Sequence, residues 1–149
     1  MSGLTEHFQK FVVENDLFSP NAKLLLAVSG GIDSVVMTHL FKASRYNFAI
    51  AHCNFELREE ESIKDLEFVR SLAKECQVDF FSINFPIQQV ATERKQSIQL
   101  VARDLRYEWL EKIRSSHEFN YIITAHHADD NIETVLYNWT KGTSIRGMT

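Results

Sequence analysis

The chain has 149 residues, 44 % hydrophobic and 24 % charged, the balance of one globular domain or of a piece of a larger protein and not of a disordered one. Its formal net charge of −4 gives no compositional support for nucleic-acid binding, while leaving room for a locally basic rim. No stretch is apolar enough to span a membrane, the first residues lack a signal peptide's layout, and Cys53 and Cys76 form no C-x-x-C pair, so a reducing cytoplasmic setting without zinc ribbon or local redox pair is expected.

Leu4, Phe8, Phe11, Val12 and Leu17 recur near helical spacing and predict a leading helix over 2–16, broken at Ser19-Pro20-Asn21. An apolar run predicts a first strand at 23–28, followed by a helix at 33–44 and a buried strand at 48–51. A long helix is expected over 60–76, with Ile63, Leu66, Val69, Leu72 and Cys76 on its inner face. A third strand follows at 80–83, then a short helical segment opened by Pro86. Ser97 is the expected N-cap of a helix carrying Val101, Leu105, Trp109 and Ile113. A fourth strand falls at 121–124, and a last helix begins near Asp129 or Asp130 and stops at Gly142.

Strands alternating with helices predict an α/β fold, a doubly wound, mostly parallel sheet covered on both faces. No fifth apolar strand follows the last helix, so either a four-stranded sheet or a domain truncated before its last strand is expected. Such sheets bind ligands at the carboxyl ends of their strands. The distinctive polar segments fall there: 29–34 after the first strand, 52–54 after the second and 125–130 after the fourth.

The segment Ser29-Gly30-Gly31-Ile32-Asp33-Ser34 reads as a tight turn between strand and helix. Glycines let backbone amides approach a ligand, and the helix start adds free N–H groups and a positive dipole end. Together these make a phosphate site, with Ser29 and Ser34 as further hydroxyl donors. Asp33 beside phosphate would be repulsive without an intervening cation, which points to a magnesium or substrate-side ligand. No lysine follows Gly31, so this is not a Walker A loop, and the G-x-G-x-x-G fingerprint is also absent. The pattern S-G-G-x-D-S resembles the pyrophosphate loop of the N-type ATP pyrophosphatases, which cut ATP between its α and β phosphates.

Three further segments carry candidate chemistry. At 52–58, a strand end could meet an adenine ring and Arg58 a phosphate or carboxylate, although polar residues at a strand end also occur for solvation alone. At 126–133, Asp130 and Glu133 share one helix face and suit magnesium or an amine, although acidic residues also cap helix starts, and His126 and His127 beside the aspartates leave a metal site open. Arg103 and Arg106 lie about one turn apart on the helix after Ser97, and an arginine reaching the strand ends would neutralise charge on departing pyrophosphate.

The loop at 29–34, H-C-N-x-x-L-R at 52–58, S-x-x-x-x-A-R-x-L-R-Y at 97–107, A-H-H-A-D-D-x-x-E-T at 125–134 and K-G-T-x-x-R-G at 141–147 come in the order seen in the tRNA(Ile)-lysidine synthetase family. The resemblance runs from about Leu24 onward and departs at Phe55, where the family often has histidine. It implies residues 1–22 as leading helix and linker and 23–149 as a PP-loop ATP-binding domain, with the fold of the adenine-nucleotide alpha hydrolases. It also implies ligation of free lysine to the wobble cytidine of isoleucine tRNA, with ATP and Mg2+ and without a membrane. Ser29, Gly30, Gly31, Ile32, Asp33 and Ser34 would hold ATP, Asp33 and Asp130 magnesium and lysine, Arg106 the phosphate, and Glu133 the lysine amine. Another adenylylating enzyme of the superfamily, such as a tRNA thiolase, and a non-catalytic nucleotide-binding module are the rival readings.

Overall fold

The structure, a computed structural model, describes residues 2–55 and 59–125. In chain order these form α1 (Ser2–Glu14), β1 (Lys23–Ala27), α2 (Ile32–Ala43), β2 (Asn47–Asn54), α3 (Glu59–Cys76), β3 (Phe80–Asn84), α4 (Ile87–Arg94), α5 (Ile98–Ser116) and β4 (Tyr121–Thr124). Arg58, His126, His127, Asp130, Glu133 and the last predicted helix lie outside the described residues.

The four strands pair in the order β3-β2-β1-β4, and every pairing is parallel. Alternation along the strands sends side chains to two cores. Leu24, Leu26, Phe48 and Ile50 face α1, α2 and α3, whereas Leu25, Ala27, Ala49 and Ile122 face Leu110 of α5. Residues 24–27 of β1 and 48–51 of β2 are therefore unbroken apolar runs, as a sheet covered on both sides requires. The leading helix belongs to the first core, where Phe8 and Val12 are buried and the Phe8 ring lies 4.9 Å from that of Phe41.

Two expectations are revised. Residues 52–54 continue β2 instead of following it: His52, Cys53 and Asn54 pair with Ser82, Ile83 and Asn84 of β3. Polar side chains do not end a strand while its neighbour still offers backbone partners. On α3 the inner face differs from the expected one. Val69, Leu72, Ala73 and Cys76 are buried, but Ile63 is 54 % exposed and Leu66 only half-buried. The inward stripe extended toward the helix start passes instead through Asp65 and Ser62, both of which line a cleft at the strand ends.

Each of the five described helices closes in the same way. The α3 end is typical: Gln77 has φ 59°, its N–H donates to the carbonyl of Lys74, and the N–H of Val78 donates to that of Ala73. This is the Schellman arrangement, normally built on glycine. Here Asp16, Arg45, Gln77, Lys95 and Glu118 occupy the left-handed position.

Candidate functional site

From β1, the chain turns to one side to make β2 and β3, and β4 then pairs on the other side of β1. The strand order reverses beside β1, and open parallel sheets take their ligands at that point. The loop at 29–34 leaves β1 there. Ala27 pairs with Ala51 and Thr124, so β1 and β4 end at one level, while β2 runs on from there to Asn54.

The loop is anchored at its base. Val28 lies one residue past β1, yet its N–H donates to the carbonyl of Ala51 at 2.9 Å. Its own carbonyl accepts from His52 Nδ1 at 2.8 Å. Gly30 then adopts φ +101°, where a side chain is strained. Gly31 has φ −72° and ψ 164°, ordinary extended geometry, and forms the N-cap of α2.

The hydroxyls brace the turn. Ser34 is buried, accepts from the Gly30 N–H at 3.2 Å and donates to the Gly31 carbonyl at 2.9 Å. Ser29 Oγ accepts from the Gly31 N–H at 3.2 Å. No side chain caps α2, so the helix start is not sealed by a serine or aspartate. Its first amides are left for a ligand, with the helix dipole behind them. Asp33 occupies the first turn, half-buried, and Ile32 beside it is 77 % exposed.

A cleft of about 220 Å³ opens at the ends of β1 and β2. Ser29, His52, Cys53, Ser62, Asp65 and Arg106 of α5 are among the residues that line it. Of the two arginines considered on α5, Arg106 is the one that reaches this cleft, while Arg103 lies over the Tyr107 ring at 5.8 Å. Arg106 and Phe55 also line a second groove of about 560 Å³. Phe55 stacks on Phe85 at 5.9 Å and packs against the small α4–α5 core, so the position that departs from the family pattern makes an apolar contact.

Burial sets the protonation of the cleft walls. It lowers the pKa of His52; Arg106 acts in the same direction, while the Val28 hydrogen bond and Asp65 oppose it. The Cys53 thiol is pushed up to about 12 by burial, against the smaller opposing effect of Arg106. Ser62 and Asp65 are the cleft residues that sequence reasoning missed. Their signal was a polar interruption in the otherwise apolar stripe of α3, where the helix overhangs the strand ends.

Among the described residues no group of three or more His, Cys, Asp or Glu could hold a metal. One carboxylate beside a phosphate loop nevertheless fits magnesium, which binds through one or two carboxylates and the phosphates of its substrate. Asp33 has the required chemistry and neighbourhood.

A parallel sheet, a glycine turn opening an uncapped helix and a cleft at the strand ends define a nucleotide-binding α/β protein. The family model described as "PP-loop domain" matches residues 2–149, and the chain belongs to that family. Use of ATP comes with membership. The chain is similar to the tRNA(Ile)-lysidine synthase of Bacteroides thetaiotaomicron, with 42 % identity over 93 % of this chain and 33 % of that protein. It is likewise similar to the tRNA(Ile)-lysidine synthase of Porphyromonas gingivalis, with 40 % identity over 97 % of this chain and 32 % of that protein. The chain thus spans about a third of the length of these relatives. In structure it resembles the NH3-dependent NAD synthetase of Campylobacter jejuni, with a TM-score of 0.61 and 21 % identity over 82 % of this chain and 55 % of that one, a likeness of fold.

Proposed function

We propose that this chain is the ATP-binding part of a cytoplasmic enzyme that ligates free lysine to the wobble cytidine of isoleucine tRNA. The cytidine O2 attacks the α-phosphorus of ATP, the bond to the β-phosphate oxygen breaks, and pyrophosphate leaves. The lysine side-chain amine then attacks C2 of the adenylylated base, loses a proton and expels AMP, giving lysidine. The observation that carries this reading is the convergence of Ser29, from the loop after β1, and Arg106, from α5, on one cleft at the strand ends.

In this scheme the amides at the start of α2 receive phosphate oxygens. Arg106 opposes the charge that gathers on departing pyrophosphate. Magnesium would polarise the phosphates and offset their charge, held by Asp33 and, as the family resemblance implies, Asp130. Glu133 is assigned to the lysine amine on the same resemblance. Recognition of tRNA is assigned mainly to the greater part of the relatives' length, which this chain does not span. Cys53 and Cys76 are both free and do not make the cysteine pair that a tRNA thiolase commonly uses, and burial pushes the Cys53 thiol away from its reactive form, which together favour lysine ligation over sulfur transfer.

Pyrophosphate release by the full-length protein, measured with and without lysine and tRNA, tests the scheme. Pyrophosphate release should require tRNA, release of AMP should require lysine as well, and Asp33→Ala should lower pyrophosphate release by about 10²-fold, the scale of losing one electrostatic group at a reacting phosphate. Unchanged release in Asp33→Ala would remove that residue from the reaction. Mass spectrometry of the modified nucleoside showing sulfur in place of oxygen would overturn the lysine assignment.

A further inference from the structure

We propose that His52 is a positioning residue for the phosphate loop, holding its base in register through the hydrogen bond from the imidazole to the Val28 carbonyl. The proposal rests on the reading of residues 29–34 as the ATP loop. It adds a side chain that sits on the neighbouring strand and outside the loop itself.

The geometry is specific. Val28 is the last residue before Ser29, and both of its backbone groups are tied to β2 beyond the end of the β1 ladder. The N–H is held by the Ala51 carbonyl at 2.9 Å, and the carbonyl by His52 Nδ1 at 2.8 Å. Since a carbonyl only accepts, Nδ1 carries the proton. His52 is 4 % exposed, and its burial favours the neutral ring, so Nε2 keeps its lone pair. The ring is thus a fixed donor in the floor of the cleft, with Asp65 on α3 and Arg106 on α5 as charged neighbours.

Without this donor the buried Val28 carbonyl would lose its partner at the point where the chain leaves the sheet. The next residue but one, Gly30, has φ +101°, and a glycine, free to adopt many other conformations, depends on its surroundings to stay there. Freedom at Val28 would therefore pass directly into the amides that meet phosphate.

The test uses the full-length protein with His52→Leu, which fills the space without a donor, and His52→Asn, whose side-chain amide can donate from nearly the position of Nδ1. In the wild type, nitrogen NMR should find the His52 proton on Nδ1. In His52→Leu, amide exchange across 29–31 and KM for ATP should each rise about tenfold, a loss one hydrogen bond can supply, with kcat within about twofold. His52→Asn should restore both. A proton on Nε2, a His52→Leu protein that matches wild type, a His52→Asn protein as impaired as His52→Leu, or faster exchange throughout β1 would each overturn the proposal. If wild type releases no pyrophosphate from ATP, the functional reading fails, while the tautomer and the exchange comparison still decide the role of His52.

Discussion

Two adjacent glycines in the loop do different work. Gly30 needs its missing side chain for backbone reasons, with φ +101°, while a Cβ there would meet Val69 Cγ2 at 3.6 Å and Asp65 Cγ at 3.8 Å, ordinary contacts. Gly31 sits in extended geometry, and a Cβ would meet only Ser29 Oγ at 3.5 Å. Gly30→Ala should therefore lower stability by about 1–2 kcal/mol in urea unfolding, whereas Gly31→Ala should leave it nearly unchanged. If Gly31 is present so that phosphate can approach, Gly31→Ala should weaken ATP binding while sparing stability. The sequence made both glycines look alike, because only the backbone angles distinguish a turn requirement from a clearance requirement. The approach of Arg106 to the strand ends was legible, since its spacing on the helix after Ser97 allows an arginine to reach them. Asp65 was not, since its spacing from Val69 matters only once α3 is known to overhang the strands.

At the scale of elements, the strands and helices were legible because apolar periodicity is dense, as in β4, predicted and observed over Tyr121–Thr124. The N-terminal stop of α5 was legible too: Ser97 Oγ accepts from the Leu100 N–H at 3.2 Å. The C-terminal stops were harder to read, because none of the five left-handed residues that close the helices is glycine. That choice leaves stability unused. Gln77→Gly would relieve about 1–2 kcal/mol of left-handed strain and cost about 0.5–1 kcal/mol of chain entropy. A net gain of about 0.5–1 kcal/mol should be seen as a higher urea midpoint, and a lower midpoint would show that the Gln77 side chain contributes more than its backbone costs.

For the molecule as a whole, a chain of net charge −4 that spans about a third of its relatives' length is poorly suited to grip RNA alone. The 149-residue chain should bind ATP weakly and modify isoleucine tRNA poorly or not at all, checked by calorimetry and by nucleoside analysis. Full turnover by this chain would mean that its own surface suffices for tRNA. The doubly wound fold was legible because alternating apolar runs leave few ways to cover both faces of a parallel sheet. The opposition of the loop to the segment carrying Asp130 and Glu133 lies outside the described residues.

Lys23, at the head of β1, exchanges hydrogen bonds with Asn120, 97 positions away, through the Asn120 side chain at 2.7 Å and its main-chain N–H at 2.6 Å. Synthesis proceeds from the amino end, so β1 waits on the ribosome with one flank bare until nearly the whole domain has emerged. The loop at 29–34, though encoded early, gains its β4 neighbour late. A nascent chain released before β4 should fail to retain nucleotide, which makes ATP capture a clock for the arrival of that strand.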